Sequence, residues 1–275
     1  MRFNRAFHNL EIDRSNPRSL GLSAAYLTER TSADTIRAIR GPDLAITNST
    51  YEIKVLRDMG PSWGSSTDSA GSAYGSAAFP KPGTTDNITI AFSFVPNTTV
   101  DNFSGLISWA DTATSATPWF YVQLQSSGAT RVLLNGAMRY TSSALTAGQK
   151  YRYTNVYSYE SGNWLTYLDG VLVNTYSSPT TNGSASGSNI YLGSGLSGTS
   201  YASYNDLFIW SGRALTAGEV MADYLDTRGI FREKEPIPYL APAAPAGGRI
   251  MSSLAGWGGL ANKGGIAGIG GGLAG

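Results

Sequence analysis

The sequence predicts an all-β protein: a two-sheet antiparallel sandwich with one short C-terminal helix and extended N- and C-terminal arms. Three observations predict it. Charged residues make up 14% of the 275-residue chain, against about 25% in an average domain, and Ser, Thr, Gly, Asn and Tyr stand in their place. From residue 44 to residue 210, short apolar-alternating runs are separated by Gly, Ser, Thr, Asn and Pro clusters, the pattern of strands joined by tight turns. Between two such runs stands Asp169-Gly170, flanked by Leu168 and Val171. Both central positions of a two-residue hairpin turn favour positive φ, which this dipeptide tolerates.

In chain order, residues 1–19 read as a polar arm with a modest cationic excess at Arg2, Arg5, Arg14 and Arg18. Residues 20–228 read as the folded domain and 229–275 as a Pro- and Gly-rich tail. Leu20 to Leu27 forms a first strand, followed by a charged, partly helical connection through Arg40. The clearest strand is Ile88 to Val95. There Ile88, Ile90, Phe92 and Phe94 point one way and Thr89, Ala91, Ser93 and Val95 the other, which gives one buried face. Further runs are Leu106 to Trp109, Phe120 to Leu124, Arg131 to Leu134, Tyr151 to Tyr159, Trp164 to Leu168, Val171 to Tyr176, Ile190 to Leu192 and Asn205 to Trp210. After them Thr216 caps a helix and Glu219 closes a capping box, with Val220, Tyr224 and Leu225 supplying the apolar side.

Several classes of function are excluded or disfavoured. The formal net charge is +1, with no basic run to neutralise phosphates, so nucleic acid is not an expected partner. The absence of Cys removes disulfides, thiolate chemistry and Cys-based zinc sites. No stretch reaches the ~20 apolar residues of a membrane span. Met1-Arg-Phe-Asn is followed by no apolar segment of the signal-peptide kind, so synthesis in a host cytoplasm is expected. The single histidine, His8, sits in the arm without a nucleophile pattern nearby and offers no base for a Ser-His-Asp site.

Two strand faces carry aromatic and amide side chains together: Trp119, Tyr121, Gln123 and Gln125, and Tyr151, Tyr153, Asn155, Tyr157 and Tyr159. Three readings stand side by side for them. Aromatic faces stack on sugar rings, they build protein interfaces, and they stabilise sheets through cross-strand pairs without any ligand. On the first reading the glycan-facing residues are Trp119, Tyr121, Gln123, Gln125, Tyr153 and Tyr157.

Four segments then occur in a fixed order: Trp164-Leu-Thr-Tyr-Leu-Asp-Gly-Val-Leu-Val173, Asn189-Ile-Tyr-Leu-Gly193, Tyr204-Asn-Asp-Leu-Phe-Ile-Trp210 and Arg213-Ala-Leu-Thr-Ala-Gly-Glu219. Together they resemble the laminin G-like, concanavalin A-like lectin/glucanase superfamily, especially its bacterial and phage members, over about residues 20–228. The resemblance implies a jelly roll. Hydrolases of that fold use two carboxylates about 5.5 Å apart in the retaining mechanism, which on a strand means i and i+2 or i+4. Between residues 59 and 205 the only Glu is Glu160, at a turn, and Asp68, Asp86, Asp101, Asp111 and Asp169 read as loop or hairpin positions. The expectation is therefore a binding protein and not an enzyme, with no catalytic residues. The resemblance also implies that Asp111 or Asp206 could be borrowed for a structural Ca²⁺. That ion wants six to eight oxygens and no dense Asp/Asn loop supplies them, so no metal ligand and no cofactor is assigned.

The tail runs Arg249-Ile-Met-Ser-Ser-Leu-Ala-Gly into Gly258-Gly-Leu-Ala261, Gly264-Gly-Ile-Ala267 and Gly271-Gly-Leu-Ala274. It resembles the tails of phage structural proteins, which implies a virion surface subunit, a capsid decoration or fibre-like protein. A glycine-rich segment loses much backbone entropy on ordering, so a partner is needed to hold it. Leu254, Trp257, Leu260, Ile266, Ile269 and Leu273 are the expected assembly interface. The partners so implied are sister subunits in a homotrimer, other virion proteins and host or environmental glycans. The alternative is a carbohydrate-binding adhesion module without a structural virion role.

Overall fold

The computed structural model describes residues 10–32, 35–47, 51–56, 60–65, 74–83, 85–96, 104–113, 115, 117–177, 187–193 and 202–234. His8 and the tail residues Leu254, Trp257, Leu260, Ile266, Ile269 and Leu273 lie outside them. The described elements are strands with a single α-helix. In chain order they are β1 (Leu10–Ile12), β2 (Leu22–Ser32), β3 (Thr35–Arg40), β4 (Leu44–Thr47), β5 (Tyr51–Leu56), β6 (Gly60–Ser65), β7 (Tyr74–Ala78), β8 (Ile88–Pro96) and β9 (Ser104–Ala110). There follow β10 (Phe120–Leu124), β11 (Ala129–Leu134), β12 (Ala137–Ala144), β13 (Tyr151–Ser158), β14 (Asn163–Leu168), β15 (Val171–Ser177), β16 (Asn189–Leu192), β17 (Ala202–Ser211), α1 (Ala217–Leu225) and β18 (Phe231–Glu233).

One continuous path of hydrogen-bonded neighbours runs β12-β11-β10-β9-β16-β7-β4-β3-β2-β17-β8-β13-β14-β15. The path folds over on itself so that its two halves face each other. Their inner faces share one core, to which β8 contributes Phe92 and Phe94, β14 contributes Trp164, and the opposite layer contributes Trp109, Phe120 and Val122. Phe120 and Trp164 stack across the layers, with ring centroids 5.9 Å apart and planes 11° from parallel. This is the jelly-roll sandwich expected from the alternating runs.

Two departures from the sequence reading matter for the site. Strand β8 is buried along its whole length, not on one face. Its inner residues join the sandwich core, and Ala91 on the outer face joins a second cluster with Phe208, Trp210, Leu215, Val220 and Ile230. What covers that outer face is α1 together with chain ends that the sequence assigns to the arms. β1 pairs antiparallel with β18, Leu10, Ile12 and Phe231 pack on the second cluster, and Trp210 Nε1 donates to the Arg18 carbonyl at 2.6 Å. The compact unit accordingly runs through Lys234.

The second departure is β3. The segment expected to be partly helical is a strand registered on β2, Tyr26 opposite Ala38 and Thr31 opposite Ile36. Ile36 is buried in the sandwich core, and pairing with an established strand outweighs the weak local preference of a six-residue segment.

The Asp169-Gly170 turn forms as expected, with φ of 51° and 78°. The capping box of α1 is also present, Thr216 Oγ1 accepting from the Glu219 N–H and the Glu219 carboxylate accepting from the Thr216 N–H. The rotation of α1 differs from expectation. Val220 and Asp223 face the sheet, while Tyr224 is 40% exposed and Leu225 74% exposed.

Candidate recognition site

The reason for that rotation lies on β13. Its outward-facing Arg152 is only 2% exposed, and a buried guanidinium needs carboxylate partners to offset lost hydration. Asp223 supplies one from the helix, its Oδ2 accepting from Arg152 Nε at 2.9 Å and Nη2 at 2.7 Å. Asp206 supplies another from β17 through Arg152 Nη1, which also donates to Ser93 Oγ at 3.1 Å. The guanidinium lies over the Phe208 ring, 5.0 Å from its centroid. Burial works against the Arg152 charge, but Asp206 and Asp223 outweigh it and hold its pKa above the ordinary value. Asp223 is fully buried and its Oδ1 has no hydrogen-bond partner among the described residues. With two carboxylates sharing one cation, burial raises the Asp223 carboxyl above 3.8 against the opposing pull of Arg152.

This triad is a buried clamp between β13, β17 and α1. Asp206, a candidate calcium ligand by resemblance, is spent on Arg152. Asp111, the other, accepts from the Ser188 N–H at 3.0 Å and the Ser188 hydroxyl at 2.7 Å. Among the described residues no group of three or more His, Cys, Asp or Glu side chains is placed to hold a metal ion.

The residues expected to face a sugar are placed differently. Trp119, Tyr121, Gln123, Tyr153 and Tyr157 are all buried, and only Gln125 is partly exposed, in the turn before β11. Trp119 sits edge-on between Trp109 and Trp164, at 5.3 and 5.8 Å between centroids, and Tyr157 stacks on Trp164 at 5.2 Å. Tyr153 packs on Phe92, and burial lifts its hydroxyl above the ordinary tyrosine range. Of the three readings of these faces, packing is the one their positions support. Trp119, Tyr153 and Tyr157 have their apolar area removed from water inside the sandwich core, while Tyr121 and Gln123 are buried on the other face of β10; a sugar-binding platform needs such area exposed.

Outward-facing chemistry gathers in two other places. A cleft of about 370 Å³ opens between the C-terminal end of α1 and the starts of β13 and β15. Buried Ser93 and Arg152 line it together with exposed Lys150, partly buried Asp169 and Thr227, and the Tyr224 ring. Asp169 is held in place by β13: its Oδ1 accepts from the Arg152 N–H at 2.7 Å and its own N–H donates to the Arg152 carbonyl at 2.8 Å. Burial raises its carboxyl above 3.8. Tyr224 is set beside Asp169 because Gly170 has no side chain; a Cβ there would lie 3.2 Å from the Tyr224 Cβ and 3.0 Å from Met221 Sδ.

The larger concavity, about 870 Å³, lies between β1 and the end of β3. Arg14, Arg40 and Lys234 line it over the apolar Leu10, Ile12 and Ile39. Neither place was legible in the sequence as a site, because their residues come from segments far apart in the chain.

The profile described as the concanavalin A-like lectin/glucanases superfamily matches residues 68–221. The chain belongs to that superfamily. No curated protein matches it in sequence. Among solved structures, this lectin-like jelly roll is similar to Trypanosoma rangeli sialidase, with 13% identity, a TM-score of 0.59, and 76% of this chain covered against 33% of the sialidase. It is also similar to the binding domain of botulinum neurotoxin DC, solved in complex with SialylT, at 11% identity and a TM-score of 0.57, with 76% of this chain and 52% of that one covered. The same toxin domain in complex with rat synaptotagmin II gives 12% identity, a TM-score of 0.56 and coverages of 75% and 51%. The chain thus spans about a third of the sialidase and about half of the toxin domain, and identities this low speak for the shared fold alone.

Proposed function

We propose that this superfamily member is a non-catalytic recognition module that binds glycans in the cleft between α1 and the Asp169-Gly170 turn. The observation that carries the reading is the exposed Tyr224 ring at a cleft of about 370 Å³ that also presents Lys150, Asp169 and Thr227. An aromatic face takes the C–H side of a sugar ring, while the fixed carboxylate and ammonium take its hydroxyls, the mixed apolar and polar lining that small-molecule sites use. The non-catalytic part of the reading is supported by Asp206 and Asp223, whose carboxylates are both paired with Arg152. On this reading no cofactor takes part, and chelation with EDTA should leave binding unchanged.

Glycan-array binding by the full chain tests it. Tyr224→Ala and Asp169→Asn should each lower glycan retention about tenfold or more while the unfolding midpoint changes little. Retention unaltered by both changes would move the site elsewhere, and release of shortened sugars on incubation would make the chain an enzyme.

A second reading, a virion surface subunit, is favoured by the tail composition. On it the jelly roll faces outward, the Gly-rich segment from residue 236 anchors it in a homotrimer, and the protein is found in the particle. Deleting residues 236–275 should then abolish particle association without affecting glycan retention; a truncated chain that still sediments with particles overturns it.

A further inference from the structure

We infer that the groove between β1 and β3 is a second binding site, one for saccharides that carry carboxylate or sulfate groups. Three guanidinium or ammonium groups, Arg14, Arg40 and Lys234, line a single concavity of about 870 Å³. All three are exposed. The chain has few charges to place, 14% of its residues with a net of +1, and a cleft lined by charges of one sign concentrates ligands of the other.

The acidic side chain within the lining, Glu11, does not neutralise them. It accepts from Arg232 Nε at 2.8 Å and Nη2 at 2.7 Å across the β1–β18 pair, so its charge is met by a fourth cation. Asp13, which accepts from the Ser15 N–H and hydroxyl at 2.9 and 2.6 Å, is not part of the lining. The groove therefore keeps an excess of positive charge.

Its base supplies the other half of the argument. Leu10, Ile12 and Ile39 pack on the second core cluster beneath it, and Leu20 stands at its edge 60% exposed. An apolar base with cations around it suits a pyranose bearing anionic substituents: the ring's C–H face lies on the aliphatic side chains and the acid groups reach the guanidinium planes, which favour carboxylate and sulfate in bidentate geometry. The volume falls within the range of small-ligand sites, about 300–1,000 Å³. The inference rests on the recognition reading of this chain but not on the Tyr224 cleft.

The test uses the full chain and immobilised probes: a sulfated oligosaccharide, a polyuronate, a neutral oligosaccharide and poly-glutamate. The expected result is retention on the sulfated and uronate probes that weakens steeply with added salt. It should fall at least about tenfold in Arg14→Ala/Arg40→Ala/Lys234→Ala and survive Tyr224→Ala. A circular dichroism melt of the triple variant matching the parent keeps a loss of binding from being a loss of fold. Unchanged retention in the triple variant overturns the inference, as does retention on poly-glutamate alone, which would make the groove a peptide site. Binding of only the neutral probe overturns this groove while leaving the recognition reading intact, whereas retention on no saccharide at all sinks both.

Discussion

Arg152 is the residue on which the outer face of the sheet depends, because it is a full charge 2% exposed and held by carboxylates from two other elements. Removing it leaves Asp206 and Asp223 buried without a cation, whereas removing the Asp223 charge leaves a balanced pair. Arg152→Met should therefore cost about 3–5 kcal/mol in urea unfolding, and Asp223→Asn measurably less; equal costs would mean that the two carboxylates are not sharing one cation. The same residue predicts a pH dependence. Asp223 has its folded carboxyl raised above 3.8 by burial, so the folded state holds that proton more tightly than the unfolded chain does. Its contribution is fully present below 3.8 and is lost as pH rises through the higher folded value. Unfolding free energies across that window should contain a component that falls with rising pH and vanishes in Asp223→Asn.

At the scale of elements, the hairpin of β14 and β15 and helix α1 are coupled through one glycine. Gly170 has φ of 78°, and a Cβ there meets Met221 and Tyr224. Gly170→Ala should cost more than the ~1 kcal/mol of an ordinary strained turn position, and should also weaken glycan retention by displacing Tyr224, which a purely local turn defect would not do. Comparison of its binding loss with that of Gly148→Ala, where φ is 77° and nothing lies within 4 Å, separates the two effects. The elements also show where sequence reading succeeds. β8, β10, β13, β14 and β17 fall where alternation placed them, because a strand's two faces are written in consecutive residues. The sequence predicts a partly helical segment at β3 because the strand's identity comes from β2, its partner, and not from its own short run. It predicts Tyr224 and Leu225 on the buried side of α1 because apolarity is the only guide available in one dimension.

For the whole molecule, the aromatic residues and the surface clefts divide the work. Trp164 touches Trp119, Phe120 and Tyr157 at once, so Trp164→Ala should lower stability by about 3–5 kcal/mol in denaturant titration, while Tyr224→Ala should leave it nearly unchanged and remove binding. If the reverse holds, the aromatic stack is the ligand surface and the interior placement of Trp119, Tyr121, Tyr153 and Tyr157 is not the state that binds. The sandwich is also why no glycan site could be read directly from composition: the same Trp and Tyr that recognise sugars on a surface fill the space between two sheets.

By itself the sequence determined the class of fold, the hairpin at Asp169-Gly170, the capped helix and the superfamily, since all of these depend on neighbours within a few residues or on ordered local segments. Only the tertiary structure decided which aromatics are interior, which way α1 turns, and that Arg14, Arg40 and Lys234 share one groove. The physical reason is that burial and charge proximity belong to pairs of residues distant in the chain, and the buried Arg152 clamp, not apolarity, sets the orientation of the helix beside the proposed site.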